Sequence, residues 1–559
     1  MSKKLADFEW DRDPNESITM SDSNQQNMLS LLNSTGPGFC LAKWTQVTMH
    51  LGNGLTHSCH HPHAHTIPLK ELTEDAGSLH NTIFKMMKRK EMLAGKRPTE
   101  CDFCWRIEDN GGVSDRVFKS LESFSFEHHD KISSLKGDEF VFPTYVEVSF
   151  GRTCNFACAY CGPPFSSKWE QEIKKQGPIM NLGQPFNSIV DNETHILARD
   201  HNPYIEAFWN WFPEAYKHMH TFRITGGEPL LIKDTFKVID FLIANPNPKL
   251  EFAINSNACP TSPGAWKKFC AKIKVLTDNN CVKKFELYTS AEATGDRCDY
   301  IRDGMDWKTF VKNIHYFLDN TSNTRVVFMC AFNILSITSF KDLLEWVLLL
   351  KTKYSYHGFF KWLEDEGVDR ALPSHDNYTV RGEENTRTHN RVGIDVPYVR
   401  WPQFLDPCLI DVELLNKFLV PAGDFMYSNM GTHDWYLSNK FEAHECSKLR
   451  RNIVDCILHI KRANRETGLH EDPKLKLKRA RFAQFIDEYD KRRGKNFHET
   501  FPEYADFYKI CKAEEAELEN MDSHDGHYED YKRKQKARLV PLTTKAGLNI
   551  EKELARPPK

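Results

Sequence analysis

From residue 144 onward, short runs that alternate apolar and polar positions give way repeatedly to longer runs with apolar residues three or four apart. The first pattern suits half-buried strands and the second suits helices packed by one face. Strands are predicted at 144–150, 222–225, 250–254, 284–288, 325–332 and 358–363, with helices at 236–244, 265–276, 307–318 and 340–350. Such βα alternation implies an α/β fold of parallel strands covered by helices, with ligand-binding residues at the carboxyl ends of the strands.

The flanks differ. Residues 1–35 are polar and read as a flexible leader, and 36–110 form a cysteine-rich module. Within that module Gly52-Asn53-Gly54 marks a hairpin, and Leu79, Ile83, Met86 and Met87 fall near helical spacing, which predicts a packed helix with a basic outer face. Residues 111–139 read as a connector and 140–365 as the βα domain, interrupted at 162–215 by a long segment with helical character at 205–209. Residues 366–395 read as a linker loop, 396–515 as a mainly helical C-terminal region, and 516–559 as a charged tail. Phe482, Phe485, Ile486 and Tyr489 share one apolar helix face flanked by lysines and arginines, read as a solvated basic helix packed on the βα domain.

Composition narrows the function classes. With 74 basic against 77 acidic residues the net charge is −3, which does not point to nucleic acid or a membrane surface. No run approaches a membrane span and the first residues lack a secretory core, so a cytoplasmic protein is expected. Sixteen cysteines in a reducing compartment read as metal ligands and buried thiols, not as a disulfide framework. There is no GxGxxG fingerprint, P-loop, G-x-S-x-G elbow or H-E-x-x-H.

Three thiols, Cys154, Cys158 and Cys161, follow the first βα strand at C-x3-C-x2-C spacing. Soft thiolates select iron–sulfur clusters or zinc, and three on one loop can bind three corners of a cubane with the fourth iron open. The strand at 222–225 ends in Gly226-Gly227-Glu228-Pro229. This is either a plain turn or a place where backbone approaches a ligand closely while Glu228 accepts from a cationic amine. Asn255-Ser256-Asn257 ends the strand at 250–254. Arg302 is either a carboxylate-binding fork or a surface arginine. Cys40, Cys59, Cys101 and Cys104 supply four more thiols, with His57, His60, His61, His63 and His65 crowding Cys59 as possible replacements. An auxiliary cluster, a structural zinc and unligated thiols all remain open for that group.

The cysteine loop, with Tyr160 before its last thiol, resembles the cluster loop of the radical S-adenosylmethionine (SAM) superfamily, and the resemblance spans residues 140–365. It implies a partial (β/α)6 TIM-like barrel, a [4Fe–4S] cluster on Cys154, Cys158 and Cys161, and SAM contacts at Gly226, Gly227, Glu228, Pro229, Asn255, Ser256 and Asn257. Ser290 and Arg302 resemble the S-x-D-G…H-D-x2-R stretch of relatives, with Glu292 standing for Asp, Ala293 for Gly and Cys298 for His. The C-x13-G-x4-C step from Cys40 to Cys59, followed by Cys101 and Cys104, resembles a SPASM or twitch auxiliary-cluster module, here ahead of the barrel and not behind it. The resemblance implies reductive SAM cleavage to a 5′-deoxyadenosyl radical, a reducing donor such as flavodoxin or ferredoxin, and a peptide or protein substrate. A nucleotide or small-metabolite substrate, or a non-catalytic iron or zinc scaffold, are the alternatives. No residue is assigned to the step that completes the product.

Overall fold

A computed structural model describes residues 3–12, 17–180, 182, 186–187, 196, 200–354, 391–399, 401–431, 440–460 and 473–522. One nine-stranded sheet organises it, in the order β3-β2-β1-β4-β5-β6-β7-β8-β9. The strands are β1 (Gln46–His50), β2 (Leu55–His57), β3 (His65–Thr66), β4 (Tyr145–Ser149), β5 (Thr221–Thr225), β6 (Asn247–Asn255), β7 (Val282–Thr289), β8 (Thr324–Met329) and β9 (Val392–Asp395). From β4 to β9 every pairing is parallel, and β1 lies parallel to β4. The hairpin expected at Gly52-Asn53-Gly54 is the antiparallel β1–β2 pair.

The two faces of this sheet are chemically unlike. On one, Val146, Val148, Phe222, Ile224, Phe252, Ile254, Phe285 and Leu287 are fully buried beneath helices, as the apolar positions of a covered parallel sheet should be. On the other, registered pairing aligns Glu147 with Arg223 and Glu286 with Arg325, and sets Asn255 beside Tyr288. There Arg223 Nε donates to Asn255 Oδ1 at 2.8 Å while its guanidinium lies 3.9 Å from the Tyr288 ring. Lys284 lies within 3.2 Å of Glu251 and Arg325 donates to Glu442 at 2.9 Å. These groups are half-buried, and the face is built largely from paired charges.

Several expectations are corrected. The stretch expected as a flexible leader contains the helix Asp22–Thr35, whose Met28, Leu31 and Leu32 are fully buried against Trp44 and Val117. The expected connector carries helices Asp115–Leu121, Ser123–Phe126 and His129–Ser133, and contributes Val117, Leu121, Phe126 and Ile132 to the same small core. The helix Ile83–Leu93 is turned opposite to expectation: Ile83, Phe84 and Met87 are 43%, 40% and 41% exposed, while Lys85 and Arg89 are buried. Lys85 Nζ donates to the Gln46 carbonyl at 3.0 Å, and Arg89 reaches the Lys43 carbonyl and Asn81 at 3.1 and 2.8 Å, so backbone acceptors draw the cations inward.

The strand expected at 358–363 lies outside the described residues, and β9 comes instead from the stretch expected as a linker. The C-terminal helices include Ala443–Ile460, Pro473–Arg493 and Ala505–Asp522, the last running into the expected tail. The basic residues of the second are not all solvated. Arg479 is buried against Glu514, and Arg493 packs 4.4 Å from Trp169 and 3.9 Å from Tyr489 while pairing with Glu172. Among the described residues no helix is long and apolar enough to cross a membrane.

Candidate functional site

The loop leaving β4 carries Cys154, Cys158 and Cys161, and its backbone is fastened on several sides. Ala157 and Ala159 N–H groups donate to the Asp303 and Ile301 carbonyls at 2.8 Å each, and Trp169 Nε1 donates to the Cys158 carbonyl at 2.8 Å. Gly304, at φ +105°, is required at the contact: a Cβ there would stand 2.8 Å from the Asn155 carbonyl oxygen. These bonds tie the loop to the helix Gly295–Ile301 and the residues after it, although more than 130 positions separate the two in sequence.

At the end of β5 the two glycines approach the chain's own cysteine loop. A Cβ on Gly227 would lie 2.4 Å from the Thr153 oxygen, and one on Gly226 would lie 2.6 Å from the Gly151 oxygen. Gly226 also has φ +122°, where other residues are strained. The approach lets Gly227 N–H donate to Gly151 at 3.1 Å and Glu228 N–H to Thr153 at 2.6 Å.

Glu228, considered from sequence as an amine acceptor, meets donors from its own chain. Its carboxylate is buried and accepts from Leu230 N at 3.0 Å, Ser256 Oγ at 2.7 Å and Asn257 N at 2.6 Å, stapling the end of β5 to the end of β6. Burial pushes this carboxyl up, opposed by those three donors. Asn257 then reaches the cysteine loop, donating from Nδ2 to Asn155 Oδ1 at 2.8 Å, while Asn155 Nδ2 donates to the Cys259 carbonyl at 2.9 Å. Asn255 faces Arg223 on the charged sheet face, and Ser290 follows β7 directly, half-buried.

Arg302 is not a surface arginine. It is buried, its Nη1 contacts the Tyr160 hydroxyl, and it pairs with Glu292 at 3.3 Å, while Tyr160 donates to Glu292 at 2.8 Å. Its Nε is buried without a partner among the described residues. Glu292 also accepts weakly from Ala331 N at 3.4 Å. The sequence places Glu292, with Tyr288 and Cys298, near the expected cavity without a role, and gives no role to Asn155, because neither contact leaves a spacing signal.

Burial pushes all three loop thiols up, Cys154 to about 12, and the neighbouring Cys158 raises Cys154 and Cys161 further. Anionic thiolates in such a place need a cationic centre to bind. In the N-terminal module Cys40, Cys59, Cys101 and Cys104 all line one small cavity, with His61 and Asp115 at its rim. Burial raises Cys40, and Cys59, Cys101 and Cys104 each raise it further; Cys101 is pushed up to about 12. Of the crowded histidines, His61 stacks 3.7 Å from Phe103 and bonds Asp115 at 2.6 Å, His57 bonds the Cys59 carbonyl at 2.5 Å, and His65 turns away to Thr82 at 2.9 Å.

Among the described residues no three Cys, His, Asp or Glu side chains converge on a single-ion site. By donor type both thiol groups are soft sets, of the kind that iron–sulfur clusters or zinc take.

No protein-family model matches the chain, and no curated protein matches it. Among solved structures, Streptococcus suis SuiB overlaps it at 13% identity over 56% of this chain and 64% of that chain, with a TM-score of 0.24. SuiB bound to S-adenosylmethionine overlaps at 14% identity over 63% and 71% of the two chains, with a TM-score of 0.26. SuiB bound to precursor peptide SuiA overlaps at 12% identity over 64% and 73%, with a TM-score of 0.27. The first overlap spans less than two thirds of the SuiB chain, and at TM-scores this low none of the three carries weight for function.

Proposed function

We propose that the chain is a radical SAM enzyme that acts on a peptide or protein. The observation that carries the reading is the clasp on the C-x3-C-x2-C loop: at the carboxyl ends of parallel strands, Gly226-Gly227 and Asn257 hold the loop from one side, and residues 301–304 hold it from the other. A purely structural metal loop needs no such convergence of strand ends.

In this reading Cys154, Cys158 and Cys161 would hold a [4Fe–4S] cluster, and that group would supply the reducing electron for radical chemistry with SAM. The chain's own residues do the rest. Glu228 fixes the two strand ends that SAM would meet, and so acts as a positioning residue. Arg302, aimed by Tyr160 and Glu292, offers a buried cation for the methionine carboxylate. The charged sheet face, with Glu147, Arg223, Glu286 and Tyr288, presents donors and acceptors of both signs, which suits amide-rich polar substrates. Cys40, Cys59, Cys101 and Cys104 hold a second, auxiliary cluster.

The test is anaerobic. The protein is reconstituted with iron and sulfide, given SAM and dithionite, and assayed for 5′-deoxyadenosine, which wild type should form. A fully clustered protein that forms none, with candidate peptides present, would overturn the reading.

A further inference from the structure

Away from both cysteine groups, two buried thiols face each other. Cys408, in the single turn Pro407–Leu409, and Cys456, on the helix Ala443–Ile460, have their Sγ atoms 3.7 Å apart across 48 positions of sequence. They are 4% and 0% exposed. The Cys408 amide donates to Asp406 Oδ1 at 2.9 Å, and the Tyr398 hydroxyl contacts both Asp406 and Cys408 Sγ, the latter at 3.5 Å. The turn is therefore held with its thiol aimed at the helix.

We propose that Cys408 and Cys456 form a reversible dithiol–disulfide site. A disulfide bond is about 2.05 Å long, so the sulfurs need approach by less than 2 Å, roughly what small χ1 adjustments supply. The oxidant is a peroxide, small enough for nearly closed surroundings. Cys408 attacks hydrogen peroxide first: its sulfur gains oxygen as a sulfenic acid and water leaves. Cys456 sulfur then attacks the sulfenic sulfur, the S–S bond forms, and the sulfenic hydroxyl leaves with the Cys456 thiol proton as a second water. Two thiols lose two electrons in all, and one peroxide becomes two waters. The order follows from access, since Cys408 keeps a trace of exposure and Cys456 has none.

The bond would fasten the helix Ala443–Ile460 to the segment that continues the sheet. Phe332 N–H donates to Pro397 at 2.9 Å and Val399 N–H to Phe332 at 3.0 Å, one residue from Ala331, whose N–H reaches Glu292. The proposal does not depend on the radical SAM reading.

The full-length protein is reduced, treated with limiting hydrogen peroxide, digested without reductant and mapped by mass spectrometry. The expected product is one cross-linked pair carrying Cys408 and Cys456, lighter by two hydrogens than the reduced peptides and separated by dithiothreitol. In Cys456→Ser, dimedone should label Cys408. Recovery of both positions as free thiols, oxidation of either to sulfinic acid without a link, or linkage of each to another cysteine would overturn the proposal. Failure of dimedone to label Cys408 in a folded Cys456→Ser protein would do the same.

Discussion

Replacing Glu228 tests whether its carboxylate holds the strand ends together or waits for a ligand. In Glu228→Ala the Leu230 and Asn257 amides and the Ser256 hydroxyl lose their shared acceptor. A buried donor left unpaired costs about 1–3 kcal/mol. The hydroxyl can turn elsewhere, so the two amides set the scale, at roughly 2–6 kcal/mol of local stability. Glu228→Gln keeps one acceptor oxygen and loses the bond from one backbone amide, so its cost should be about 1–3 kcal/mol. Hydrogen exchange on the metal-free protein reads this directly, because separation of the segments that follow β5 and β6 exposes the amides of Leu230 and Asn257. The account expects faster exchange there in the order wild type, Gln, Ala, with little change in distant helices. Unchanged protection at both amides in Glu228→Ala would refute the staple and return Glu228 to the role of a free ligand acceptor.

Three further outcomes follow from the same geometry. Arg302→Met should destabilise the protein by about 3–5 kcal/mol by leaving Glu292 buried without its counter-charge, and Arg302→Met/Glu292→Gln should recover part of that in chemical denaturation. His65 is held down to about 3, chiefly by burial and then by Lys85 and Lys43. Below the ordinary histidine value the unfolded chain takes up a proton that the folded chain refuses. Stability present above pH 6.5 is thus lost as pH falls toward 3, by up to about 1.4 kcal/mol per pH unit; His65→Gln should flatten that slope in melts across the window. Cys40→Ala or Cys101→Ala should lower iron content after reconstitution while the metal at residues 154–161 stays, as metal analysis and visible absorbance would show.

Strands β4 to β8 and the helices that follow β5 to β8 were legible because period-two and period-3.6 patterns are local properties, whereas β9 lay in the expected linker. The cysteine loop was legible because its thiols sit close in sequence. What was not legible depends on distant partners. Lys85 and Arg89 look like solvent-facing cations until the Gln46 and Lys43 carbonyls are seen to need donors. The helix Asp22–Thr35 was hidden by its Asn, Ser and Gln content, although Met28, Leu31 and Leu32 already mark one face. The glycines at 226 and 227 announced a close approach but not its target, which is the chain's own loop at 151–153. The charged sheet face could have been found from the alternation that sets Glu147, Arg223, Glu286 and Tyr288 opposite buried apolar neighbours.

The central claim is that Cys154, Cys158 and Cys161 present an open iron to SAM. Electron paramagnetic resonance of the reconstituted, dithionite-reduced protein tests it most directly. The account predicts a reduced-cluster signal that changes shape when SAM is added and that is absent when all three cysteines are replaced by Ala. A signal indifferent to SAM, or one that keeps its SAM response in the triple variant, would contradict it.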